Sequence, residues 1–267
     1  MSGTVYLVGA GPGAADLLTL RAVRLLARAD IVFHDALVPE EILGFCSKAL
    51  LVKVGKRSGR YATAQAFINK QLADAAHKHK VVVRLKGGDP MLFGRAHEEI
   101  SFLRKHGVKV EVIPGITAAL AAAAELQLSL TRRGSARSVA FVTPRVGKDQ
   151  PASTWVRAAL AADSVAIYMG AGEARQISRA LIDAGKPAAT PVAVIENASL
   201  PGAQWHFGTL AQLERVASKG TGGPSLILLG EVLRESAIIG AWHGAQSSSL
   251  PTARATRTGR ARSGSSR

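Results

Sequence analysis

The chain has 267 residues, 47% of them hydrophobic and 20% charged, which excludes a mainly disordered or fibrous protein. A single cysteine, Cys46, excludes an intrachain disulfide and a cysteine-based zinc site. The formal net charge is +15, and without the stretch after Gly244, which holds five arginines and no acid, the body still carries 29 basic against 19 acidic residues.

Residues 4–9 (TVYLVG) form a short apolar run and predict a buried strand. Asp16 to Ala29 predicts a helix with a broad leucine-rich face and Asp16 at its cap. ADIVFHD predicts a strand ending on Asp35, Pro39 to Cys46 a short helix, and ALLVKV a strand. Thr63 to His79 predicts a long helix capped by Thr63, and KVVVRLKGGDP a strand running into a glycine turn. Glu98 to His106 predicts a helix, KVEVIPG a strand, and Ile116 to Glu125 an alanine-rich helix. Alternating strands and helices imply a mainly parallel sheet covered on both faces. The pattern breaks over QLSLTRRGSARS, so one domain is placed at 1–130 and a second at 131–243. The second carries strands at SVAFVTP, SVAIYMG, TPVAVIENA, QWHFGTL and PSLILLGEV. Its helices are expected at Trp155 to Leu160, Glu173 to Ala184 and Ala211 to Ala217, with one more after the last strand. QWHFGTL follows its neighbour after a short turn, which suits antiparallel pairing and a mixed sheet. Residues 244–267, rich in Ser, Thr, Arg and Gly, are expected to be a disordered basic tail. The longest apolar stretch, around Ile116 to Ala124, is too short to span a bilayer, and no basic region precedes Val5–Val8. A cytoplasmic protein is expected.

A basic body calls for a polyanionic partner: nucleic acid, phosphate, or a small molecule bearing many carboxylates. Lysines and arginines are scattered and aromatics are only 5%, which favours the polyacidic small molecule. Gly9-Ala10-Gly11-Pro12-Gly13-Ala14 lies between a strand and a helix and fits a dinucleotide fingerprint, with Asp35 ending the next strand. Pro12 counts against a pyrophosphate there, because it has no N–H to donate. Arg84-Leu85-Lys86-Gly87-Gly88-Asp89-Pro90, followed by Met91-Leu92-Phe93-Gly94-Arg95 and by Glu98 and Glu99, is a second candidate. Its place at a strand's carboxyl end is where ligands sit in open parallel sheets, and Asp89 offers an acceptor to a ribose or amine. Ile113-Pro114-Gly115-Ile116-Thr117-Ala118-Ala119 is a third, with Thr117 either capping a helix or reaching a ligand. Tyr168-Met169-Gly170 ends a strand of the second half, and Lys53, Lys56, Arg57 and Arg60 surround Gly55 and Gly59 in an anion-friendly loop. His77, His79 and His97-Glu98-Glu99 lack metal-ligand spacing, so no metal is expected.

In order, VYLVGAGPG, DLLTLRA, FHDALV, GKR, the Gln65–Asn69 helix, RLKGGDPMLFGR..EE, VIPGIT, YMG and GPSLILLGEV resemble the tetrapyrrole methyltransferases over residues 4 to about 243. The GKR loop and GGDPMLFGR..EE are most similar to the uroporphyrinogen-III C-methyltransferase branch of the sirohaem and cobalamin pathways. The resemblance implies two α/β domains, the first with a mainly parallel and the second with a mixed sheet. It also implies S-adenosylmethionine in the cleft between them and a homodimer. It places Pro12, Gly87, Gly88, Asp89, Leu92, Thr117, Ala118, Met169, Ala198 and Ser225 around the cofactor. It places Lys56 and Arg57 on the substrate propionates and Arg95, Glu98 and Asp35 in catalysis. The implied reaction methylates uroporphyrinogen III at C-2 and then C-7, through precorrin-1 to precorrin-2, and releases S-adenosylhomocysteine. No specific nucleic acid or membrane partner is implied. An arginine base is chemically awkward with a pKa above about 12, so Arg95 suits better the anchoring of a propionate. Two departures from the family pattern, Ala96-His97 in place of glycines and the absence of a histidine near Tyr61, fall toward the substrate side. Methylation of a later corrin intermediate, a nicotinamide-dependent oxidoreductase and a tail-driven nucleic-acid binder are the competing readings.

Overall fold

The computed structural model describes residues 2–54, 61–146 and 154–234. Five strands of the first half, β1 (Thr4–Gly9), β2 (Ile31–Asp35), β3 (Leu50–Val54), β4 (Val81–Lys86) and β5 (Lys109–Ile113), join in the order β3-β2-β4-β1-β5. Every pairing is parallel. A parallel sheet needs crossovers, which are supplied by α1 (Leu20–Leu26), α2 (Glu40–Leu43), α3 (Tyr61–Ala76) and α4 (Ala96–Lys105). Alternate side chains then bury into two layers. Val5, Leu7, Ile31, Phe33 and Val82 meet Leu72 and Leu103 beneath α3 and α4. Val8, Val32, Val83 and Leu85 meet Leu25, Leu26 and Ile42 on the other face. Cys46 belongs to that second layer, and burial pushes its thiol up to about 11, as suits a core side chain.

The chain changes sheets after β5. α5 (Ala118–Glu125) leads to β6 (Val139–Val142), α6 (Trp155–Ala161), β7 (Ser164–Tyr168), α7 (Ala174–Asp183), β8 (Pro191–Glu196), β9 (Gln204–Thr209), α8 (Leu213–Ala217) and β10 (Ser225–Gly230). The strand order is β6-β7-β10-β8-β9. Only β6 and β7 are parallel, and β9 pairs antiparallel with β8 as the short connection requires. α6, α7 and α8 cover one face. Ala119 and Ala122 of α5 pack with Leu226, Leu228 and Ile195 on the other, so α5 ties the first half to the second sheet.

Several expected boundaries move. α1 begins at Leu20 rather than Asp16, because Thr19 is the cap and accepts the Ala22 N–H at 3.2 Å, while Asp16 lies in a separate 3-10 turn. Thr63 lies inside α3, which begins at Tyr61, so it does not cap that helix. α4 begins two residues early, behind Arg95, whose left-handed backbone (φ 55°) marks the entry. The expected tail and the helix expected after residue 232 fall largely outside the described residues.

Candidate active site

The carboxyl ends of β1, β4 and β5 meet at backbone distance. A side chain at Gly9 would stand 2.6 Å from the Gly115 Cα and 2.7 Å from the Gly88 carbonyl, so only hydrogen fits. Gly11 and Gly88 exchange hydrogen bonds, with the Gly88 N–H donating to Gly11 at 2.7 Å and the Gly11 N–H returning at 3.2 Å. Asp89 locks the next loop: one carboxylate oxygen accepts the Met91 N–H at 2.7 Å and the other the Gly115 N–H at 2.9 Å. Its first role is thus to hold the 87–91 turn against residue 115. Beside Gly87 no atom stands within 4 Å of where a side chain would be, so the turn faces open space.

The second sheet reaches the same place through side chains. The Tyr168 hydroxyl, at the end of β7, bonds Thr117 Oγ1 at 2.6 Å and accepts the Ala119 N–H at 3.2 Å. Thr117 is therefore the backbone cap of α5 while its hydroxyl serves the contact between sheets. Phe93 stacks obliquely on Tyr168 with ring centres 5.0 Å apart, and burial pushes the phenol above its ordinary range. The Ala14 N–H donates to Ser199 Oγ at 3.0 Å, and the Ser199 N–H donates to Glu125 at 2.5 Å, whose carboxyl burial pushes up. Glu196 ends β8 and accepts the Thr221 N–H at 2.7 Å, the Thr221 hydroxyl at 3.1 Å and the Gly223 N–H. Burial works against that carboxylate, but these hydrogen bonds outweigh it and hold Glu196 below the usual range.

These links stitch the expected cofactor residues into one constellation. Pro12 adjoins the 11–88 bridge; Gly87, Gly88 and Asp89 form it or lie next to it; Leu92 precedes Phe93; Thr117 and Ala118 meet Tyr168, and Met169 follows it. Ala198 lies between Asn197 and Ser199, and the Asn197 N–H donates to Pro224 at 2.9 Å, beside Ser225. Phe93, Arg95, Met169, Asn197 and Ser199 all adopt positive φ without being glycine. Strained backbone of this kind gathers at functional sites, and five of the six such residues described here do so in these loops. Tyr168 and Phe93 lie inside two of the motifs that the sequence offers, but neither the motifs nor the resemblance gives them a role.

The charged residues separate into an outer and an inner group. Arg95 and Glu98 form a forked pair with both contacts at 2.7 Å, and both side chains are partly exposed. The Glu98 hydrogen bond raises the Arg95 pKa further, and Arg95 in turn lowers that of Glu98. Glu99 faces inward and is fully buried. It accepts Arg84 Nε at 3.2 Å, Lys86 Nζ at 3.1 Å and Gln65 Nε2 at 3.0 Å, and Asn69 accepts from the same Gln65 amide at 2.9 Å. Arg84 also reaches Asp35 Oδ1 at 2.5 Å, so Asp35 joins this network rather than pairing with the first glycine loop. Burial, ahead of repulsion from Arg84, lowers the Lys86 pKa. Sequence reasoning assigned no role to Arg84, Lys86, Glu99, Gln65 or Asn69. The available signal was a pair of cations two apart in an apolar strand (VVVRLK), which share one face of a buried sheet and need acids there.

The dinucleotide reading of the first loop fails on geometry. Gly11 is bridged to Gly88, Gly13 abuts Leu200, and a 3-10 turn intervenes before α1, so no helix N-terminus faces the glycines. Lys56 and Arg57 lie outside the described residues. Among the described residues no cluster of His, Cys, Asp or Glu could hold a metal ion, and no helix is long and apolar enough to cross a membrane.

Residues 4–214 match the family model for tetrapyrrole (corrin/porphyrin) methylases. A uroporphyrinogen-III C-methyltransferase of Pseudomonas aeruginosa is 43% identical over 88% of this chain and 96% of its own length. A siroheme synthase of Psychrobacter cryohalolentis is 44% identical over 86% of this chain but 45% of its own length. The chain thus spans about half the length of the siroheme synthases it matches. A solved uroporphyrin-III C-methyl transferase of Thermus thermophilus, complexed with S-adenyl homocysteine, superposes with a TM-score of 0.75 at 40% identity, covering 87% of this chain and all of that one.

Proposed function

The chain belongs to the tetrapyrrole (corrin/porphyrin) methylase family, and on that footing we propose that it is an S-adenosylmethionine-dependent C-methyltransferase acting on uroporphyrinogen III. The product of two transfers, at C-2 and C-7, is precorrin-2, formed through precorrin-1. The observation that carries the reading is the constellation at the seam, where loops from both sheets are stitched around the open side of Gly87. The open turn at Gly87, with the small, half-buried Ala118 at the start of α5, suits a nucleoside-bearing ligand. When bound, S-adenosylmethionine supplies an electrophilic methyl group on a sulfonium.

The remaining work falls to the chain. Thr117 and Tyr168 hold the seam between the sheets, and with the exposed Met169 beside them orient one reactant against the other, which is the main demand of such a transfer. Arg95, a permanent cation braced by Glu98, anchors a substrate carboxylate, and Lys56 and Arg57 serve others. Carbon methylation leaves the macrocycle with one positive charge until a proton departs, and Asp35 offers a nearby anion to stabilise it. The chain works in the cytoplasm as a homodimer; the exposed Leu50 and Leu51 on the edge strand β3 support association, which light scattering would measure.

Anaerobic incubation with S-adenosylmethionine and uroporphyrinogen III tests the reading. Mass spectrometry should find two added methyl groups. No methylation, with S-adenosylhomocysteine still bound in a titration, would move the substrate to a later tetrapyrrole. No binding at all would overturn the methyltransferase reading.

A further inference from the structure

Arg84 is the member of the inner charged network that touches both its acids. Its side chain is 4% exposed, and it reaches Glu99 through Nε and Asp35 through Nη2. Nη1 donates to the Phe33 carbonyl at 3.4 Å and the Leu85 carbonyl at 3.1 Å. Four acceptors in three directions leave the guanidinium one orientation. Glu99 is also held by Gln65 at the same oxygen and by Lys86 at both, so the chain of contacts runs from the interior outward to Asp35. Two cations and two anions make the cluster neutral, which lets an arginine stay buried.

Asp35 is where this chain of contacts meets solvent. It ends β2 beside the carboxyl end of β4, and its side chain is 34% exposed. Oδ1 lies on Arg84, and among the described residues Oδ2 has no partner. The other acids of this end differ: Glu99 is fully buried, Asp89 uses both oxygens on backbone N–H groups, and Glu98 is forked to Arg95. A polyanionic substrate would be repelled by a carboxylate free to swing. A carboxylate fixed in one place instead meets a pyrrole N–H or the positive charge left by methylation.

We propose that Arg84 is a positioning residue, which fixes the Asp35 carboxylate at the substrate side of the site and is itself held by Glu99. The inference rests on the methyltransferase reading. It is tested with the full chain, S-adenosylmethionine and uroporphyrinogen III, using Arg84→Lys, Asp35→Asn and the double variant. Lysine keeps the charge but has no planar fork to serve four acceptors. Arg84→Lys should lower kcat about 100-fold, as misplacement of a reacting group does, with the KM for uroporphyrinogen III and the Kd for S-adenosylhomocysteine within about threefold of wild type. The double variant should lose no more than Asp35→Asn alone, because both changes act through one carboxylate. Losses that multiply, or an Arg84→Lys variant with wild-type kcat, would overturn the inference.

Should Arg84→Lys not fold, Asp35→Glu leaves Arg84 intact and moves the carboxylate by one methylene. A loss in kcat of about tenfold or more is expected from that displacement, and wild-type kcat overturns the proposal. Absence of turnover by the wild-type chain overturns the assignment of uroporphyrinogen III as substrate and this inference with it. Wild-type turnover with multiplying losses overturns the role of Arg84 alone.

Discussion

In the first sheet, the loops that reach the seam are held chiefly by backbone against backbone, with Asp89 as the side chain that clamps them: Gly9, Gly88 and Gly115 touch, Gly11 bridges Gly88, and Asp89 accepts the Gly115 N–H. In the second sheet they are held by side chains, with Tyr168 bonded across to Thr117 and Glu196 gathering the 221–223 turn. Beneath the first sheet's carboxyl ends an acid is buried against two cations, whereas in the second sheet the buried Glu196 is met by backbone N–H groups and a hydroxyl. One half thus presents a stiff floor over a charged network, and the other a wall fixed by a few polar groups. The difference follows from topology. Parallel strands bring several carboxyl ends and their glycine turns to one edge, while antiparallel strands alternate direction and leave fewer.

The strongest test of this contrast is Glu99→Gln. It leaves Arg84 and Lys86 buried without their shared anion, and urea unfolding should show a loss of about 3–5 kcal/mol. A loss below about 1 kcal/mol would mean that the network under the first sheet is not structural. Next comes Gly115→Ala. The new methyl would meet the Gly88 carbonyl and stand 2.8 Å from the Gly9 Cα, contacts with backbone that cannot swing aside. Destabilisation near the upper end of about 1–3 kcal/mol is expected, together with weaker S-adenosylhomocysteine binding by calorimetry.

Glu196→Gln probes the second sheet. Because the folded state lowers this carboxyl below its ordinary 4.5, the stability it contributes is present above that pH and is lost as pH falls through the lowered value. Urea unfolding between neutral pH and pH 3 should therefore show a shallower acid decline in the glutamine variant, and parallel curves would contradict the assignment. The smallest stability effect is expected for Arg95→Ala, whose pair with Glu98 is exposed: under about 1 kcal/mol by thermal melting. Its turnover should nevertheless fall while S-adenosylhomocysteine affinity holds, and unchanged turnover would remove Arg95 from substrate binding.

Much of the site was legible because glycine, proline and strand-end motifs are local. GAGPG, GGDP and PGIT each predict a sharp turn at a strand's end, and parallel topology alone brings those ends together. What local pattern misjudged were ends of elements with tertiary partners. Asp16 reads as a helix cap, yet the Ala14 N–H is held by Ser199, 185 positions away, and the helix starts at Leu20 behind a Thr19 cap instead. Thr117 reads as a cap or a ligand contact; it is the backbone cap of α5, and the bond of its hydroxyl to Tyr168 of the other sheet is the part that no local pattern shows.

The sequence by itself determined the strands, the alternation that makes the first sheet parallel, and the turns that carry the family's motifs. These depend on neighbours within a few residues, through periodicity and backbone freedom. Only the tertiary structure decided which of two adjacent acids faces inward. Glu98 and Glu99 differ by one step of about 100° around α4, which sends the first to Arg95 in solvent and the second beneath the sheet to Arg84 and Lys86. That outcome rests on where β4 lies against α4, a relation between segments that no local pattern contains.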